Sequence, residues 1–211
     1  MRRHLVLAFV LLAAGAAAAG AEHVRLDYSR PSEGITKVEL EAGVGDIEVF
    51  GDGGTTITAR VEVSSKVGRF WSHHDEDLSG LQVESEVRQG TLFLRVGPDR
   101  HENRSWGENW TIHLPQKMAV KVQLGVGETR VLDVAGDVAV EVGVGDVNVE
   151  GEYASFGSVH ASSGVGDASL RSPQTHEEGE GFIAHSLRSK GPGTSEIRIS
   201  AGVGDTQIRL R

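Results

Sequence analysis

Three groups of side chains in this chain have types and spacings that could do chemistry. The run His73-His74-Asp75-Glu76-Asp77 sets two imidazoles and three carboxylates within five residues, donors that suit zinc or copper. Adjacent loop residues seldom all turn toward one ion, so the run reads first as a solvated loop tip. His73, His74 and Asp75 stand as candidate binding residues, with no metal expected. The second group is five acids, Asp46, Glu128, Asp146, Asp167 and Asp205, each closing a Gly-Val-Gly-acid tetrad. Calcium-binding nonapeptide repeats also combine glycine and aspartate, but they recur every nine residues with more glycine. Two exposed like charges ~5 Å apart in water cost under about 1 kcal/mol, so a ladder of such acids needs no cation. The third group is aromatic: Trp71, Trp106 and Trp110, with Phe70 and Phe93, all lie in one stretch. Brought together on a surface, these rings would make a carbohydrate-stacking or partner-binding patch. Packed inward, they would make a small satellite core. No Gly-x-Ser-x-Gly, His-Glu-x-x-His or phosphate-cradling Gly-Lys motif occurs, so no catalytic residue and no cofactor is assigned.

The tetrads expose the elements that carry these groups. They read Gly43-Val44-Gly45-Asp46, Gly125-Val126-Gly127-Glu128, Gly143-Val144-Gly145-Asp146, Gly164-Val165-Gly166-Asp167 and Gly202-Val203-Gly204-Asp205. With each Val as zero, offsets −6, −4, −2, +3 and +5 are Ala, Val, Ile or Leu at 22 of 25 positions. The exceptions are Thr129, Ser163 and Thr206. Between them, polar residues alternate. Such period-two patterning predicts strands with one buried and one wet face. The parity slips by one across the Gly-acid step, which in a straight strand would turn the buried set to solvent. The chain must therefore bend there. Glycine allows the turn, and the acid can accept a backbone N–H and fasten it.

Gaps between the valines are 82, 18, 21 and 38, close to multiples of 18–21. A unit of that length holds two short strands and their turns. The expected fold is all-β: a single-domain β-solenoid or β-helix-like stack of short strands with Gly-Val-Gly-Asp corners. The alternative is an antiparallel β-sandwich.

Residues 1–21 read as a signal peptide: Arg2 and Arg3, an apolar run from Leu5 to Ala13, and Ala19-Gly20-Ala21 before Glu22. Residues 22–211 then form one β-repeat domain, and no transmembrane segment is expected in the mature chain. Export is expected, to the periplasm, with an extracellular destination as the alternative. The chain has no cysteine, so disulfides and thiolate metal sites are excluded. Its formal charge of −9 becomes −11 without Arg2 and Arg3, which argues against nucleic acid. Residues 64–112 break the frame as an insertion. It holds a predicted hairpin, Leu81–Val87 and Thr91–Val96 around Arg88-Gln89-Gly90.

The segment Val138–Val149, VAVEVGVGDVNV, resembles the bacterial β-strand-repeat "putative adhesin" domains of unknown function, also grouped as toastrack domains. Members commonly carry Gly-Ser-Gly-Asp at this corner; here Val replaces Ser throughout. The resemblance covers residues 36–50 and 113–211 and weakens over 64–112. It implies a solenoid-like fold of stacked strands, export or membrane tethering, links to envelope-stress systems, and no enzymatic activity. The sequence thus leads to a non-enzymatic cell-envelope protein presenting a surface to an envelope protein or glycan. The rival readings are a polysaccharide-active β-helix enzyme and a passive scaffold.

Overall fold

The computed structural model describes residues 23–65, 78–97, 106–174, 176–179 and 185–211. The signal segment, Trp71 and the His73–Asp77 run lie outside them. The described elements are β1 (His23–Pro31), β2 (Lys37–Val44), β3 (Ile47–Asp52), β4 (Thr56–Ser64), β5 (Gln82–Arg88), β6 (Thr91–Gly97), β7 (Gly107–Pro115) and β8 (Ala119–Val126). There follow β9 (Thr129–Leu132), β10 (Val138–Val144), β11 (Val147–Gly151), β12 (Phe156–Val165), β13 (Ala168–Arg171), β14 (His176–Gly179), β15 (His185–Lys190), β16 (Ser195–Val203) and β17 (Thr206–Leu210). They build two mixed sheets around one core.

Each tetrad joins a strand of one sheet to a strand of the other. The first arms lie in the order β2-β8-β10-β16-β12 and the second arms in the order β3-β9-β11-β17-β13. Both sets are parallel and in register, so Val44, Val126, Val144, Val203 and Val165 stand side by side. All 25 frame positions are buried, the two threonines and Ser163 included. The parity slip is therefore the corner itself: even offsets face the core from one sheet and odd offsets from the other. Burial of each Val, Leu or Ile contributes about 1.5–3 kcal/mol, which makes this frame the main stabilising term.

The second glycine of each tetrad is required twice. Its φ is +133° at Gly45, +139° at Gly127, +140° at Gly145, +131° at Gly166 and +137° at Gly204, a region L-residues avoid. A Cβ on Gly145 would also lie 1.9 Å from the Gly127 carbonyl oxygen of the adjacent corner.

Copies do not stack in chain order: the fifth lies between the third and the fourth. The gaps of 82 and 38 are not filled by whole runs of such units, although in the first β6 runs parallel to β2 and β7 parallel to β3. Among the described residues, β4, β5, β6 and β7 fill much of the first and β14 and β15 lie in the second. Several of these pair antiparallel and cover the ends of the parallel stack: β1 on β4, β4 on β7, β5 on β6, β14 on β13 and β15 on β12. The hairpin at Gln89-Gly90 forms as the sequence indicates, with both residues at positive φ, as a two-residue primed turn requires.

Candidate functional site

Three of the five corner acids fasten neighbouring corners to one another rather than closing their own turns. Asp46 Oδ1 accepts the Glu128 backbone N–H at 3.0 Å, Asp146 Oδ1 that of Asp205 at 2.8 Å, and Asp205 Oδ1 that of Asp167 at 2.9 Å. Asn109 on β7 begins the ladder by accepting the Asp46 N–H at 3.1 Å. The backbone bonds run the opposite way, from Gly45 to Val126, Gly127 to Val144, Gly145 to Val203 and Gly204 to Val165, at 2.8–3.0 Å. These carboxylates are thus occupied as acceptors. Among the described residues no three His, Asp or Glu side chains converge as metal ligands. On the same edge, Val126, Val144, Val165 and Val203 are 45–50% exposed and form an apolar ridge beside the acids.

Trp106 and Trp110 are in the core, 4% and 1% exposed, and do not form a surface patch. The reason is β7, whose even-numbered residues from Glu108 to Leu114 all face inward. Glu108 is buried between the two indoles and accepts both N–H groups, from Trp106 at 2.8 Å and Trp110 at 3.0 Å. Burial of two indoles requires such acceptors, because an unpaired buried donor costs about 1–3 kcal/mol. Sequence reasoning missed Glu108; its place in the alternation Trp106-x-Glu108-x-Trp110 was the available signal. Trp71, His73, His74 and Asp75 are not among the described residues.

A concavity lies elsewhere on the described surface. A groove of about 1010 Å³ runs between β1 and the β5–β6 hairpin and reaches over Glu39 and Glu41 of β2. Phe93, 36% exposed, stands in it with the Arg88 guanidinium 5.8 Å above its ring. Arg88 and Arg95 are held in turn by Glu86 and Glu84, which lie on the same hairpin. The hydrogen bond from Arg88 holds the Glu86 carboxyl below the usual carboxylate range, and Glu86 raises Arg88 in return. An exposed ring among guanidinium–carboxylate pairs can stack on a sugar or receive a peptide side chain. Among the described residues the groove lining holds no histidine, cysteine or lysine.

No family model matches the chain, and no curated protein matches it. Among solved structures, a "putative cell adhesion protein" from Clostridium sporogenes is similar, with 19% identity, a TM-score of 0.53, and coverage of 90% of this chain and 100% of its own. A "putative adhesin" from Bacteroides fragilis, 10% identical, covers 89% of this chain and 97% of its own, with a TM-score of 0.30. The first likeness is one of fold. The second is too low to carry an argument.

Proposed function

We propose that this chain is a non-enzymatic, exported adhesin-like protein of the cell envelope, which binds an envelope glycan or protein on the surface of a rigid β-scaffold. The observation that carries the reading is the groove between β1 and the β5–β6 hairpin, with Phe93 held open among ion pairs. The fold likeness to the Clostridium protein supports it, since that protein is described as one of cell adhesion. We read the architecture as a short solenoid-like stack of corners closed by antiparallel strands. Among the described residues no helix is long and apolar enough to cross a membrane.

The test is binding of the chain from Glu22 onward to purified cell-wall polysaccharide and to solubilised envelope proteins, beside a Phe93→Ala variant. Retention that falls about tenfold in the variant supports the reading, since an exposed stacking contact is worth about 0.5–1.5 kcal/mol and the Arg88 contact goes with it. Equal retention of both proteins, or release of new reducing ends from the polysaccharide, would overturn it.

A further inference from the structure

The wet face of the eight-stranded sheet has two unlike halves. On β5, β6, β2 and β8 every base faces an acid: Arg88 with Glu86, Arg95 with Glu84, Lys37 with Glu39, and Lys121 with Glu141 from the neighbouring β10. On β16, β12 and β15 the bases are in excess. Strand register sets Arg198 beside His160 and His160 beside Arg188, one row across three strands. The next row is Ser200, Ser162 and Ser186, and on the other side Ser158 lies between Glu196 and Lys190. Three permanent cations against one acid give this grid +2, in a chain of −9.

Among the described residues, no acid pairs with Arg188 or Lys190 and no partner engages His160. Arg198 makes a 2.8 Å bond to Glu196, with its side chain 68% exposed, and such surface pairs are worth ~1 kcal/mol or less. Edge protection accounts for charges on β15, because lysine and arginine at a sheet margin hinder strand addition. It does not account for His160 and Arg198, which stand one and two strands inside that margin.

We infer that the outer face of β16, β12 and β15 is a recognition platform for a carboxylated polysaccharide. Neighbouring strands stand ~4.8 Å apart, so the row spans about 10 Å of flat surface. Its guanidinium groups can clasp carboxylates with paired N–H donors. The serine row offers hydroxyls to sugar hydroxyls. The grid contains no apolar side chain, which argues against a protein hot spot or a membrane as its partner. The chain's overall negative charge does not forbid a polyanion there, because at physiological salt charges beyond ~8 Å are largely screened. The platform rests on the proposed binding role for its choice of ligand, but not on the groove.

The test is biolayer interferometry of the chain from Glu22 onward on biotinylated polygalacturonate, on neutral dextran, and on vesicles of phosphatidylglycerol. The expected result is binding to polygalacturonate alone, weakening as salt rises. Arg188→Glu with Lys190→Glu should weaken it by about tenfold or more, while Phe93→Ala leaves it unchanged. The double variant keeps charge on the edge strand, so any loss is not loss of edge protection. Arg198→Gln, away from the margin, gives a second reading if the double variant folds poorly. No binding to polygalacturonate at low salt, a preference for the vesicles, or binding unaffected by these changes would overturn the platform. Retention on envelope fractions that depends on Phe93 but not on Arg188 and Lys190 would sink the platform and leave the groove standing.

Discussion

Replacing one glycine at a time along the corners separates two demands that the fold makes on them. In Gly145→Ala the new Cβ must occupy φ +140° and lie 1.9 Å from the Gly127 carbonyl oxygen. The backbone conformation alone costs about 1–3 kcal/mol for a non-glycine residue. The clash is with backbone, so it is relieved only by parting the corners. That disturbs the bonds from Gly127 N–H to Val144 O at 3.0 Å and from Gly145 N–H to Val203 O at 2.8 Å, about 1 kcal/mol each. The expected loss is about 4 kcal/mol, a large part of the 5–15 kcal/mol typical of a domain. Gly143→Ala has no positive φ to satisfy, but its Cβ would meet the Gly125 carbonyl oxygen at 2.6 Å, and about 1–3 kcal/mol is expected. Gly43 heads the same row, where β6 no longer runs beside β2, and a Cβ there meets nothing within 4 Å among the described residues. Gly43→Ala should lie within about 0.5 kcal/mol of the parent. Urea unfolding followed by far-ultraviolet circular dichroism measures all three, with constant slope as the check on two-state behaviour. The reasoning fails if Gly145→Ala costs less than about 1 kcal/mol, or if Gly43→Ala costs as much as Gly143→Ala.

Three further outcomes follow from the same packing. Thr129 and Thr206 flank Val147 in the core, and among the described residues neither Oγ1 has a hydrogen-bond partner, so Thr129→Val and Thr206→Val should each raise stability by about 1 kcal/mol; a lower urea midpoint would contradict this. Among the described residues Glu128 accepts no N–H from the next corner, where Asp46, Asp146 and Asp205 do. The shorter carboxylate of Glu128→Asp should therefore reach the Asp146 N–H, seen as slower hydrogen exchange at Asp146 and a gain of about 0.5–1 kcal/mol, and unchanged exchange would count against it. Glu108→Ala strands two buried indole donors and should cost about 2–4 kcal/mol, with Glu108→Gln milder because it keeps an acceptor; equal losses in the two would remove the hydrogen-bonding argument.

What could be read from the sequence is what repeats locally. The 25 frame positions are buried as their alternation indicates, and the glycines turn where the parity slips. What could not be read is which rung lies beside which. Parallel ladders are made by backbone groups common to all copies, so the pattern is satisfied by any order of stacking. Val138 pairs with Val120 on one side and Ile197 on the other, and nothing in those residue types names the neighbour. The aromatic residues were harder for a different reason. In β7 a carboxylate occupies a core position, and its solvation requirement is met only by the indoles on either side of it. The order of the rungs also decides the chemistry of the surface. Had the copies stacked in chain order, His160 would stand next to Ala139, and Arg198 would lie beyond it. Because the fifth copy enters between the third and the fourth, Arg198 comes to lie between Ala139 and His160, and the row continues to Arg188. Each residue of that row comes from a different part of the chain and is unremarkable in its own strand. The permutation does not create the neighbourhood of Arg198 and His160, which chain order would also give; it leaves the far edge of β12 to β15, which brings Arg188 into the row, and that can be found only once the register is known.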